Sequence, residues 1–85
     1  HSMLILPLHS KLEAYLQQRQ LVKKFAKQKQ LLEENIFHPS LNVELLEPKP
    51  LKFFSFRIDR KYRATFIFHK ANVIEIVDIN NHYKK

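Results

Sequence analysis

The 85-residue chain contains no cysteine and no glycine. Without cysteine there is no disulfide framework, no thiolate zinc site and no thiol nucleophile, which fits a reducing compartment. Without glycine no glycine-rich loop can cradle a phosphate, and every tight turn must be made by residues that carry a Cβ. Long apolar runs are missing as well. Nothing approaches the roughly 20 residues that span a bilayer, and the start lacks a basic region leading into a long apolar segment and a small-residue cleavage site. Neither secretion nor membrane insertion is expected, and the expected location is the cytoplasm. His1-Ser2 ahead of Met3 read as a cloning remnant and receive no role. Acidic residues are few, 8 against 15 Lys or Arg, for a formal charge of +7. The excess is local: residues 49 to 85 carry nine Lys or Arg against Asp59, Glu75 and Asp78, while residues 37 to 48 hold only Glu44 and Glu47 as charged residues. Such a field favours anionic partners and speeds encounter with them, although a lysine-rich solubilising surface gives the same count.

The chain is expected to form a single domain over residues 3–85. At this length a core buries only about 60% of the unfolded surface, so a partner is part of the expectation. Met3 to Leu8 reads as a first strand, with Pro7 suited to an edge or a strand end. Ser10-Lys11-Leu12-Glu13 has the form of a capping box and predicts a helix start at Ser10. Leu12, Tyr15, Leu16 and Arg19 share one helical face. After a soft break at Gln18 to Gln20, Leu21, Val22, Phe25, Leu32 and Ile36 continue the spacing, predicting a helical hairpin or a bent helix. Lys23, Lys24, Lys27 and Lys29 read as the solvated face of the second helix. His38-Pro39 ends the helical region and Pro48 and Pro50 bracket a loop. Phe53 to Ile58 alternates, with Phe54, Phe56 and Ile58 facing the helices and Phe53, Ser55 and Arg57 facing away. Tyr62 to His69 alternates likewise, placing Arg63, Thr65, Ile67 and His69 opposite Tyr62, Ala64, Phe66 and Phe68. Val73 to Ile79 is apolar on both parities, as in a strand inside a sheet. Asp59-Arg60-Lys61 and Lys70-Ala71-Asn72 are the expected turns, since Asp and Asn tolerate the left-handed region best after glycine. The predicted class is α+β: a strand, a helical hairpin, then three antiparallel strands.

Several chemistries are excluded by residue type and spacing. The histidines at 1, 9, 38, 69 and 82 show no metal-ligand spacing, and Ser10, Ser40 and Ser55 are not placed as nucleophiles on a strained turn. No metal and no nucleotide or other small-molecule cofactor is expected. Cleavage of RNA without a metal asks for less: a group to take the 2′-hydroxyl proton, a group to protonate the leaving 5′-oxygen, and cations for the charge building on the phosphate. Arg57 and Arg63 can bind phosphate oxygens. His82 can move a proton in either direction near neutral pH, and Tyr83 can stack on a base. Lys52, Lys84 and Lys85 are further candidate substrate contacts in the same field. The same residues also suit structural roles: Arg63 as the partner of Asp59 or Asp78, His82 as a solvated tail residue, Tyr83 as a cap on the core.

The segments HPSLNVELL, FFSFRIDRKYRATFIF and NVIEIVDINNHYKK cover about half the chain. In order and spacing, with a helical hairpin ahead of them, they resemble the RelE/ParE superfamily of type II toxin–antitoxin toxins. The ending is closer to the RelE, YoeB and HigB side, ribosome-dependent mRNA endonucleases, than to the gyrase-poisoning ParE side. The resemblance implies a RelE-like fold, an antitoxin partner and mRNA on the ribosome as substrate. It places the family's sheet arginine on Arg63 of KYRATF and the preceding basic residue on Arg57 of FRID, both on the phosphate. It places the His-Tyr ending of YoeB-like toxins on His82 and Tyr83, as general acid and positioning aromatic. The acidic general base has no direct counterpart, leaving His38, Glu44 and Glu47 as candidates, and Ser55 stands where RelE-like members carry a lysine. Two other functions compete with the endonuclease: ParE-like inhibition of DNA gyrase, and a toxin homologue that acts only as a binding module.

Overall fold

Alternation and helical spacing decide most of the architecture, and the computed structural model, which describes residues 3 to 81, shows how the pieces close. The elements run β1 (Leu4–Ile5), α1 (Ser10–Gln18), α2 (Val22–Glu34), a 3-10 turn (Pro39–Leu41), β2 (Glu44–Leu45), a second 3-10 turn (Lys49–Leu51), β3 (Phe54–Arg57), β4 (Arg63–Lys70) and β5 (Val73–Asn80). The five strands form one sheet in the order β1-β5-β4-β3-β2, with β1 parallel to β5 and the other pairs antiparallel. No helix among the described residues is long and apolar enough to cross a membrane.

The apolar helical faces meet one face of the sheet. Leu16, Leu21, Phe25 and Leu32 join Phe56, Ala64, Phe66, Ile74, Ile76 and Ile79 in a single buried cluster. Aromatic rings tie it together: Phe56 lies 6.1 Å from Phe25 and 6.0 Å from Phe66, within the range of favourable ring contacts. Tyr15 of α1 meets Tyr62 edge-on, and the Arg19 guanidinium sits 3.7 Å above the Tyr15 ring. The helical hairpin and the α+β class are as the sequence predicts.

Several local expectations are corrected. The first strand is Leu4–Ile5 rather than Met3 to Leu8, because its pairing to β5 covers only Val73 and Ile74. A strand absent from the sequence reading, β2, pairs its two residues with Ser55 and Phe54 and closes the far edge. The capping box does not form. His9 is the N-cap without a side-chain cap, and Ser10 is already the first helical residue. The His9 ring is turned away to Glu75 on β5, at 2.7 Å. Phe68, expected on the buried face, is 37% exposed and lines an open hollow with Met3, Ile36, Phe37 and Phe54.

The left-handed residues are also not those expected. Gln20, Asn42 and Lys52 adopt positive φ, whereas Asp59 and Asn72 do not. Gln20 closes α1 with the Leu21 amide bonded to the Leu16 carbonyl at 2.8 Å, the six-to-one bond of a Schellman ending in which glycine is usual. Asp59 makes its turn by side-chain bonding instead: Oδ1 accepts from the amides of Lys61 and Tyr62, both at 2.8 Å.

One irregularity explains the doubly apolar pattern of β5. Thr65 pairs with Asp78 but Phe66 pairs with Ile76, so Val77 is an extra residue in the ladder. Such a bulge shifts the inward parity by one position. Ile74, Ile76 and then Ile79 point into the core, while Asp78 and Asn80 are delivered to the opposite face with Thr65 and Arg63.

Candidate functional site

The face of the sheet turned away from the helices carries two rows of polar side chains. Cross-strand partners project to the same side. The first row is Arg57, Arg63 and Asn80, paired in register across β3, β4 and β5. The second, two residues along the strands, is Glu44, Ser55, Thr65 and Asp78, from β2 to β5. Two guanidiniums therefore stand side by side at the end of the sheet, with one carboxylate on each outer strand of the adjoining row.

The two arginines are held differently. Arg63 is half-buried, and its Nε donates to the Ser55 hydroxyl at 3.0 Å. Its Nη2 donates to the Asn42 carbonyl at 2.6 Å and the Ser55 carbonyl at 3.3 Å. Ser55 is 3% exposed and serves as a buried hydroxyl acceptor for Arg63. Arg57, also half-buried, makes no hydrogen bond or ion pair through its guanidinium among the described residues. A guanidinium left this way offers its donor fork to a ligand, and phosphate matches it in geometry and charge. Asp59, considered a partner for Arg63, is used elsewhere. Burial pushes its carboxyl up, but the Lys61 and Tyr62 amides and the Lys24 ammonium at 3.2 Å together hold it below the ordinary value of 3.8.

The three candidate bases lie in different places. Glu44 is exposed on β2 and shares the face of the arginines, with its Oε2 3.4 Å from the Asn42 amide nitrogen. His38 caps the 3-10 turn: its Nδ1 accepts from the Ser40 amide at 3.2 Å and lies 3.0 Å from the Ser40 hydroxyl. A neutral His38 in that bond carries its proton on Nε2, so its lone pair is already engaged. Glu47 is exposed beyond the end of β2. Lys52 ends the second 3-10 turn, two residues before β3 and five before Arg57, about 16 Å at the usual strand rise, and is not brought to the arginine pair. His82, Tyr83, Lys84 and Lys85 lie outside the described residues. The chain leaves β5 at Asn80, opposite Arg63.

Two parts of this arrangement escaped the sequence reading. Glu44 is one of three candidate bases that the sequence leaves undistinguished, and only the pairing of β2 carries it onto the cationic face. Gln28, on the apolar side of α2, is 8% exposed and donates to the carbonyls of Arg57 and Ser40. Its signal was in the spacing, since Gln28 falls seven residues after Leu21 and four before Leu32.

No protein-family model matches the chain, and no curated protein matches its sequence. Solved structures do match its fold. A YoeB/ParE toxin from Agrobacterium tumefaciens aligns over 98% of this chain and 100% of its own, with a TM-score of 0.69 and 15% identity. The YoeB dimer from Staphylococcus aureus aligns over 96% and 97%, with a TM-score of 0.69 and 22% identity. The toxin–antitoxin complex YoeB–YefM of the same organism gives 95% of both chains, a TM-score of 0.67 and 23% identity. At these identities the likeness establishes a shared fold over essentially the whole chain, the fold expected from the resemblance.

Proposed function

We propose that this chain is the toxin of a type II toxin–antitoxin pair, a ribosome-dependent mRNA endonuclease that works without a metal and is restrained by its antitoxin. The observation that carries the reading is the row Arg57–Arg63–Asn80, in which the Arg57 guanidinium is unengaged among the described residues, on a fold shared with YoeB/ParE toxins. In this reading Arg57 and Arg63 bind the non-bridging oxygens of the scissile phosphate and neutralise the charge that builds there. The 2′-oxygen attacks phosphorus, the P–O5′ bond breaks, and a 2′,3′-cyclic phosphate forms. Glu44, the candidate base on the same face, takes the 2′-hydroxyl proton. His82 gives a proton to the departing 5′-oxygen, and Tyr83 stacks on a base.

The antitoxin part of the proposal draws on the YoeB–YefM neighbour and on surface chemistry. Phe37 is 86% exposed beside Phe54, Phe68, Met3 and Ile36 around an open apolar hollow. An acidic segment that folds on binding covers apolar and cationic surface together.

The test maps transcript 5′ ends during induced expression of the chain and of Arg57→Ala. This variant removes a guanidinium that makes no bond among the described residues, so the fold should persist. Cuts inside translated frames that fall at least about 100-fold in the variant are the expected result, the scale set by losing a charge-stabilising donor. Arrest with unbroken transcripts and DNA-damage signalling would replace this reading with gyrase inhibition, and absence of arrest would replace it with a binding module.

A further inference from the structure

Among the described residues only Gln28 and Ser55 are both polar and buried. Ser55 serves Arg63, as described above. Gln28 occupies a core position of α2, between Phe25 and Leu32, where an apolar side chain would pack without any need for partners. Its amide nitrogen has two hydrogens and spends them on two different segments, the Arg57 carbonyl at 2.8 Å and the Ser40 carbonyl at 3.2 Å.

The Arg57 carbonyl needs such a donor. The Phe53 carbonyl accepts from Leu46 on the β2 side of β3. Carbonyls of alternate strand residues point the same way, so those of Ser55 and Arg57 also face β2. But β2 pairs no further along than Ser55, and the Arg57 carbonyl looks past its end. The donor that fills this gap comes from α2, and the same nitrogen reaches the 3-10 turn. From the opposite face Arg63 grips the chain at the Asn42 carbonyl, just beyond that turn.

We propose that Gln28 is a positioning residue for RNA cleavage: from the buried side it locks the end of β3 that presents Arg57 to the turn that leads into Glu44. The proposal rests on the endonuclease reading above. A phosphate bound by Arg63 competes for the same N–H groups that now hold Asn42 and Ser55. When Arg63 turns to substrate, the two Gln28 bonds still join the turn to the end of β3, beyond the point where β2 stops pairing. The spacing between Glu44 and the phosphate grip of Arg57 is then kept by the pairing of Glu44 with Ser55 together with a buried bond at Arg57 that substrate cannot reach.

The test is a double-mutant cycle in the full chain: wild type, Gln28→Met, Arg57→Ala and the double variant. Each is assayed for single-turnover cleavage of ribosome-bound message, with its thermal unfolding recorded. Methionine keeps the volume and loses both donors. The expected result is a loss of at least about tenfold for Gln28→Met while it stays folded at the assay temperature, since small misplacements of catalytic groups cost this much or more. In the Arg57→Ala background the same change should cost little further, because Gln28 acts through Arg57. A merely structural role would lower the rate by the same factor in both backgrounds, and that result overturns the proposal. So does a Gln28→Met chain that cuts as fast as wild type. Should Gln28→Met unfold below the assay temperature, Gln28→Asn, which keeps the amide but is too short to reach both carbonyls, replaces it in the cycle with the same two outcomes. A wild-type chain that does not cut overturns the endonuclease reading and this inference with it, whereas a cutting wild type with an indifferent Gln28 overturns the inference alone.

Discussion

Glu75 shows how much a single carboxylate can organise. One oxygen accepts from His69 at 2.8 Å and the other lies 2.7 Å from His9, so this residue of β5 joins β4 to the start of α1. The His69 bond, then the His9 bond, holds its carboxyl below the ordinary value of 4.5. A carboxyl whose folded pKa is depressed contributes stability that is present above the unfolded value and lost as pH falls through the folded one. Denaturant midpoints of wild type and Glu75→Gln should therefore differ most above about pH 5 and converge as pH falls below the unfolded value of 4.5. A gap that stays constant through that window would mean the two histidine contacts contribute nothing to stability. The His9 contact was not legible in the sequence. His9 and Glu75 are 66 positions apart, and only the parallel pairing of β1 with β5 brings them together.

At the scale of the element, the turns carry the consequence of having no glycine. The α1 ending, the exit from the first 3-10 turn and the exit from the second all place a Cβ-bearing residue in the left-handed region: Gln20 at φ 57°, Asn42 at 47° and Lys52 at 60°. For an L-residue with a long side chain that conformation costs roughly 1–2 kcal/mol, part of which glycine would return as unfolded-state entropy. Gln20→Gly is expected to gain about 0.5–1 kcal/mol and to raise Tm by about 2–8 °C, read by circular dichroism. A fall in Tm would show that the Gln20 side chain contributes more than its conformation costs. The strands teach a related lesson. The alternation of Phe53 to Ile58 and Tyr62 to His69 fixed the faces of β3 and β4 correctly, including the shared side of Arg57 and Arg63, because side-chain parity along a strand is a local property. The both-sided apolar pattern of β5 hid a bulge, because a bulge is defined by the partner strand and leaves no mark in its own sequence except an odd count between Ile76 and Ile79.

At the scale of the whole molecule, charge and topology act together. Most of the formal charge of +7 lies in residues 49 to 85, and the proposed RNA site uses the sheet face and not the lysine-rich surface of α2. Binding of a single-stranded RNA oligonucleotide should weaken with salt, and Arg57→Ala should reduce the slope of log K against log salt by about 0.7, the share of one neutralised phosphate on a single strand. Lys23→Ala, on exposed α2 surface, should leave that slope unchanged; equal effects of the two substitutions would move the binding surface to the helix. What the sequence determined by itself was local. The α+β class, the helical hairpin, the faces of β3 and β4, and the pairing of two arginines on one side all follow from periodicity and from residue types that favour strand or helix. The tertiary structure alone decided the rest. Glu44 reaches the cationic face through a two-residue strand too short to announce itself, Gln28 becomes a buried brace because β2 stops two residues short of Arg57, and Glu75 finds His9 through a parallel edge. Each depends on contacts between segments far apart in the chain, where the governing quantity is which donors and acceptors the folded sheet leaves unpaired, and that is settled only when the strands have found their register.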